Sequence, residues 1–224
     1  ATYGKSRAAT YTDFGLRYLS YSTDNGAFYY YHTEGGAGGA KGPPYTGNVS
    51  YEETLVDVKR YADSVGLPYR YVLLDSWWYY KGSHSGIQLW EPMPSTLGGM
   101  EINGDPTTWY KLPNNIATTL HSRFFEADNE YVKGTAPGMS KPFDWTPNCG
   151  SVAVSRDSNF FRHIFSRAKQ GLGMRTYEQD FLTAQYEMCD ELSQSPGAAK
   201  AWLKAMAAAA STENITIQYC MALP

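Results

Sequence analysis

Two short stretches place acidic side chains where chemistry could be done. In the first, the apolar run Tyr69-Arg70-Tyr71-Val72-Leu73-Leu74 stops at Asp75-Ser76 and a wall of rings, Trp77-Trp78-Tyr79-Tyr80. A buried parallel strand ending this way delivers a carboxylate and aromatic faces to a pocket at its C-terminal end. In the second, Met174 to Asp180 reads as a strand that also finishes in acids, Tyr177-Glu178-Gln179-Asp180. By the two-residue period of a strand, Glu178 and Asp180 share a face, and like-charge repulsion from Glu178 is expected to raise the pKa of Asp180 unless Asp180 lies on the following loop. His121 and Arg123 fall near the end of a third β-rich segment, Ile116 to Phe125, and would line the same pocket. A histidine satisfied within the structure is the alternative reading for His121.

Composition narrows what such a pocket would take. The chain has 19 Tyr, 6 Trp and 9 Phe among 224 residues. Tyr and Trp combine a flat apolar face with a polar handle, which suits core packing and also stacking against the C–H faces of sugars. A net charge of −3 with no basic cluster argues against nucleic acid as a partner. No apolar run approaches the roughly 20 residues of a membrane span. Cys149, Cys189 and Cys220 lack C-x-x-C spacing, and His32, His84 and His163 are too scattered for a metal site. No cofactor motif is present. One disulfide and one free thiol are compatible with the cysteine count, and Asn48 and Asn214 head glycosylation sequons that matter only in a secreted chain.

The elements that must position these residues alternate. Leu16 to Ser22 has strand character, and Gly35 to Gly47 is a glycine-rich loop without the ending of a phosphate-binding motif. Ser50 and Glu53 form a capping box for a helix over 51–65 with Leu55, Val58, Ala62 and Val65 on one face, closed by Gly66 and Pro68. Strand 69–75 follows, then a long loop from Lys81 to Asn115 that holds Trp90 and Trp109. After strand 116–125 comes a helix capped by Ser155 or Asp157, buried through Phe160, Phe161, Ile164, Phe165 and Ala168 and closed at Gly171. Strand 174–180, a helix with Pro196 at its start, and strand 215–221 complete the series. This order predicts an α/β fold of the (β/α)8 TIM-barrel type, incomplete in this chain because about five of the eight strands are countable. A doubly wound open sheet is the alternative.

The two acidic motifs resemble those of the alpha-galactosidase and raffinose-synthase group of barrel glycoside hydrolases. In that group the second strand ends in D-D-x-W, matched here by Asp75 and Trp78 with Ser76 departing, and the fourth ends in K-x-D, matched by Asp180 with Glu178 in place of the cation. Cys220 falls near the end of the fifth strand, where a cysteine recurs in some members. The resemblance implies a retaining glycoside hydrolase or transglycosylase acting on alpha-linked sugars. It makes Asp180 the nucleophile and sets Asp75 and Trp78 at the sugar hydroxyls; Trp77, Glu178, Arg123 and His121, read from their places near the same strand ends, complete the candidate substrate-binding set. It puts the acid/base on a sixth strand, so a further segment or chain is expected to complete the barrel. A carbohydrate-binding relative without turnover, or a structural subunit, is the alternative.

Overall fold

The computed structural model describes residues 10–24, 51–93, 96–97 and 116–222. The glycine-rich stretch 35–47, the sequon at Asn48, the capping residue Ser50 and Trp109 lie outside them. The chain is a mixed α/β protein built on two sheets. The larger has five parallel strands: β1 (Ser20–Ser22), β2 (Tyr71–Leu74), β5 (Ala117–Ser122), β8 (Met174–Gln179) and β9 (Thr216–Tyr219), side by side in chain order. Among the described residues the order never reverses, so the switch point of a doubly wound sheet is absent. The smaller sheet, β3 (Tyr79–Lys81), β4 (Ile87–Pro92), β6 (Phe125–Glu126) and β7 (Val152–Ala153), follows the order β3-β4-β6-β7.

The helices form largely where capping and periodicity place them. Helix α2 (Tyr51–Ser64) buries Leu55 and Ala62, whereas Val65, past its end, is exposed. Gly66 (φ 77°) then reverses the chain in a left-handed conformation that suits glycine. Helix α4 (Ser158–Leu172) is capped by Asp157, whose carboxylate accepts from the Asn159 amide at 2.8 Å, and it buries all five expected residues. Ser155 instead anchors the preceding turn by donating to the Asp144 carbonyl. The closing glycine is Gly173 at φ 64°, while Gly171 is buried in the last turn. Helix α7 (Ala198–Glu213) buries Trp202, Ala205, Met206 and Ala209 and ends at Asn214 in the left-handed region.

Three expectations are corrected. Leu16 is not in a strand, because Asp13 accepts from the Leu16 amide and caps the short helix α1 (Phe14–Arg17), delaying β1 to Ser20. The segment after Lys81 is not one long loop: β3 and β4 form an antiparallel hairpin. Glu126 closes its turn, accepting from the His84 and Gly86 amides at 2.9 Å each. A Cβ at Gly86 would come within 2.5 Å of the Phe124 ring, so the turn admits no side chain there without displacing that ring. Finally, strand 116–125 divides at Arg123 into β5 and β6, which belong to different sheets. The connections also hold α3 (Glu130–Lys133), α5 (Leu182–Met188) and α6 (Asp190–Gln194).

Register fixes which side chains share a face of the large sheet. Leu120 pairs with Tyr177 and His121 with Glu178 across β5 and β8, and Glu178 pairs with Gln218 of β9. The Tyr177 side is covered by α4, with the Phe165 ring 4.7 Å from the Tyr177 ring. The opposite side carries Thr119, His121, Thr176, Glu178, Thr216 and Gln218 by the period of two. It is the polar side, and α1 lies at its lower end, where Tyr71 donates to the Gly15 carbonyl.

Cys149 and Cys189 form a disulfide that links the loop before β7 to the α5–α6 junction, leaving Cys220 as the free thiol among the described residues. Closing 40 residues of chain removes entropy from the unfolded state. Replacing both cysteines by serine is expected to lower unfolding stability by about 4 kcal/mol, measured by chemical denaturation.

Candidate functional site

The C-terminal ends of β2, β5 and β8 meet at His121. Thr23, just past β1, donates to the Leu73 carbonyl at 2.6 Å and accepts from the Asp75 amide at 3.2 Å and from the Trp77 indole at 2.8 Å. One buried hydroxyl thus locks the end of β1 to the end of β2 and orients Asp75. From β5, His121 places Nε2 3.0 Å from the Asp180 carboxylate and 4.0 Å from that of Asp75. Its Nδ1 lies 3.1 Å from the Tyr79 hydroxyl. A carboxylate only accepts, so Nε2 carries the proton directed at Asp180.

These surroundings sort the carboxyl groups. Burial pushes Asp180 up, but the His121 hydrogen bond, the Phe181 amide and the His121 charge outweigh it and hold Asp180 below the usual carboxylate range. The expected rise from Glu178 is therefore corrected, because the repulsion falls on Glu178 instead. Burial first, then the Asp75 and Asp180 charges, raise Glu178 to about 7, against the pull of His121. Asp75 is also raised, by burial foremost, with His121 and the Ser76 amide opposing and Asp24 adding to the rise. Glu178 Oε1 accepts from Gln218 at 3.1 Å, while its Oε2 is buried without a hydrogen-bond partner.

The structure brings Asp75, His121, Glu178 and Asp180 together and treats the aromatic residues differently. Trp77 and Trp78 are both 0% exposed. Trp77 packs edge-on against Tyr51, and Trp78 against Tyr79 and Trp90, so both rings are core and present no face to a sugar. Arg123 lies just beyond β5 with its guanidinium 4.3 Å from the centre of the Phe181 ring.

Four contributors escaped the sequence reading. Tyr79 was grouped with the ring wall, yet its hydroxyl orients His121. Lys81 lies at the end of β3 rather than in the loop expected there. Thr23 and Gln218 act through hydrogen bonds that only the register reveals. Cys220, near the end of β9, is hydrogen-bonded to Asp180, and burial together with that carboxylate pushes its thiol up to about 12. Among the described residues no three His, Cys, Asp or Glu side chains are grouped as metal ligands, and no helix is long and apolar enough to cross a membrane. No protein-family model matches the chain, and no curated protein is detectably similar to it.

Replacing His121 with Phe retains the ring volume but leaves the Tyr79 hydroxyl and Asp180 without their partner. It is expected to raise the Asp180 pKa, followed by carboxyl NMR, and to lower stability by about 1–3 kcal/mol. Glu178 sets a second expectation, because its folded-state pKa of about 7 exceeds the ordinary 4.5. The folded protein retains that proton longer than the unfolded chain, so stability declines as pH rises from about 4.5 to about 7. Denaturation midpoints across this range should decline less with pH in Glu178→Gln.

Proposed function

We propose that these strand ends form a carbohydrate-active site of the retaining glycoside hydrolase or transglycosylase kind, acting on alpha-linked sugars within a (β/α)8-type barrel. One observation carries the reading: carboxyl groups from two parallel strands meet at a single buried histidine, which keeps Asp180 ionised while Glu178 is raised to about 7. Carboxyl groups whose environments separate their pKa values are how glycosidases divide the roles of nucleophile and proton donor. The sequential parallel order and the polar face opposite α4 support the barrel, whose sites lie at the C-terminal strand ends.

In this reading the ionised Asp180 attacks the anomeric carbon as the glycosidic C–O bond breaks, forming a glycosyl ester. The departing oxygen takes a proton from a carboxylic acid, and water or a second sugar then releases the glycosyl group with that acid acting as base. Among the described carboxyls raised above their usual range, Glu178 is the one that reaches about 7 and so holds a proton near neutral pH. Asp75 accepts from sugar hydroxyls. Trp77 and Trp78 contribute by fixing the loop that carries Asp75 rather than by stacking on the ligand. The Cys149–Cys189 disulfide accords with an oxidising compartment.

Incubation with an epoxide or 2-fluoro glycoside inactivator, followed by peptide mass mapping, should find the sugar esterified to Asp180. Asp180→Ala should abolish labelling and lower turnover of an aryl alpha-glycoside by about 10⁴-fold or more. Sugar binding without label or turnover would favour a non-catalytic carbohydrate-binding role, and absence of sugar binding would remove the reading.

A further inference from the structure

The site also holds two cations that the glycosidase reading leaves unused. Lys81 Nζ and Arg123 Nε are both buried without a hydrogen-bond partner. Neither side chain has a carboxylate within ion-pair distance among the described residues. Aromatic faces hold them instead: Lys81 Nζ stands 5.8 Å from the Tyr79 ring centre, and the Arg123 guanidinium stands 4.3 Å from Phe181 and 5.9 Å from Phe124. Cation–π contacts support a charge while leaving its N–H groups free to donate.

The two cations sense each other. Lys81 is lowered to about 8, by burial first and then by Arg123, with Asp75 pulling the other way. A cationic nitrogen kept out of water without a counter-ion is unfavourable, and an anion that reaches it relieves that cost. At the end of β8, Glu178 Oε2 is also buried without a hydrogen-bond partner. A neutral sugar supplies hydroxyls for the acceptor but no charge for the cations.

We infer that the glycoside recognised here is acidic, with its carboxylate or sulfate ester received by Lys81 and Arg123 while its hydroxyls meet Asp75 and Glu178. This deepens the carbohydrate reading and rests on it. The glutamate in the slot where the resembling family has K-x-D then has a counterpart, since positive charge reaches the site from the β3–β4 hairpin and from the end of β5.

Calorimetric titration of the intact chain with a methyl alpha-uronide, its neutral methyl alpha-hexoside, a sulfated hexoside and plain sodium sulfate separates the two ideas. The acidic sugars are expected to bind about 30-fold or more tighter than the neutral one. Lys81→Gln should erase most of that preference while leaving neutral-sugar affinity within about threefold, and Lys81→Arg, which keeps the cation and serves as the folding control, should retain it. Equal binding of neutral and acidic sugars would overturn the inference and leave the carbohydrate reading standing. Sulfate binding as tightly as the sulfated sugar would keep the anion site and remove the carbohydrate reading. Binding of none of the four would overturn both.

Discussion

The hydrogen bond between His121 Nε2 and Asp180 is the interaction on which the site depends. It joins the ends of two neighbouring parallel strands, β5 and β8, and decides the charge of the group at its far end. Other contacts converge on the same residue: Tyr79 engages Nδ1, and the Trp90 indole donates to the His121 carbonyl at 3.0 Å. Both partners come from the β3–β4 hairpin. The smaller sheet therefore acts as a brace that holds the histidine ring in a fixed orientation, as supporting hydrogen bonds do in sites that need a defined proton position.

That brace is made rigid by apolar packing. Trp77, Trp78 and Trp90 are wholly buried, and rings of this size bury about 150–250 Å² each, enough to dominate the local energetics. Arg167 of α4 grips Glu91 of β4 through two hydrogen bonds, at 2.8 and 3.1 Å, which ties the hairpin to the helix covering the Tyr177 side. The rings placed next to Asp75 in sequence are thus part of the scaffold. Their adjacency reflects the need to fold the chain tightly immediately after it delivers a carboxylate.

Much of the larger sheet was legible because its signals are local. Apolar runs between turn-forming residues marked β2, β5, β8 and β9, and Asp157 marked the start of α4 through its own capping chemistry. The smaller sheet was not, although Ile87-Gln88-Leu89-Trp90-Glu91 does alternate in part. Its strands are short, its turn is a Gly-Ser-His-Ser-Gly stretch that reads as loop, and its closure depends on Glu126, forty residues further on. Asp75, Glu178 and Asp180 were visible as acids at strand ends, but their charge states were not. The sequence puts Glu178 two residues from Asp180 and suggests mutual repulsion. Register is what places His121 between them and directs its proton to one.

The polar side of the large sheet shows how such an arrangement survives folding. Carboxyl groups are held close together out of water, which disfavours the folded state unless charge is removed or balanced. Here each device is assigned to a different residue: Asp180 is balanced by His121 and the Phe181 amide, Glu178 retains its proton to about 7, and Asp75 leans on the Ser76 amide. Below them the same face narrows to Thr119, Thr176 and Thr216, and the hydroxyls of Thr176 and Thr216 meet at 2.8 Å. At the strand ends and on the adjoining hairpin, Glu178 Oε2, Arg123 Nε and Lys81 Nζ are among the buried groups without a hydrogen-bond partner. These unfavourable terms stand where a ligand can relieve them, above a polar face in which Thr176 and Thr216 satisfy each other.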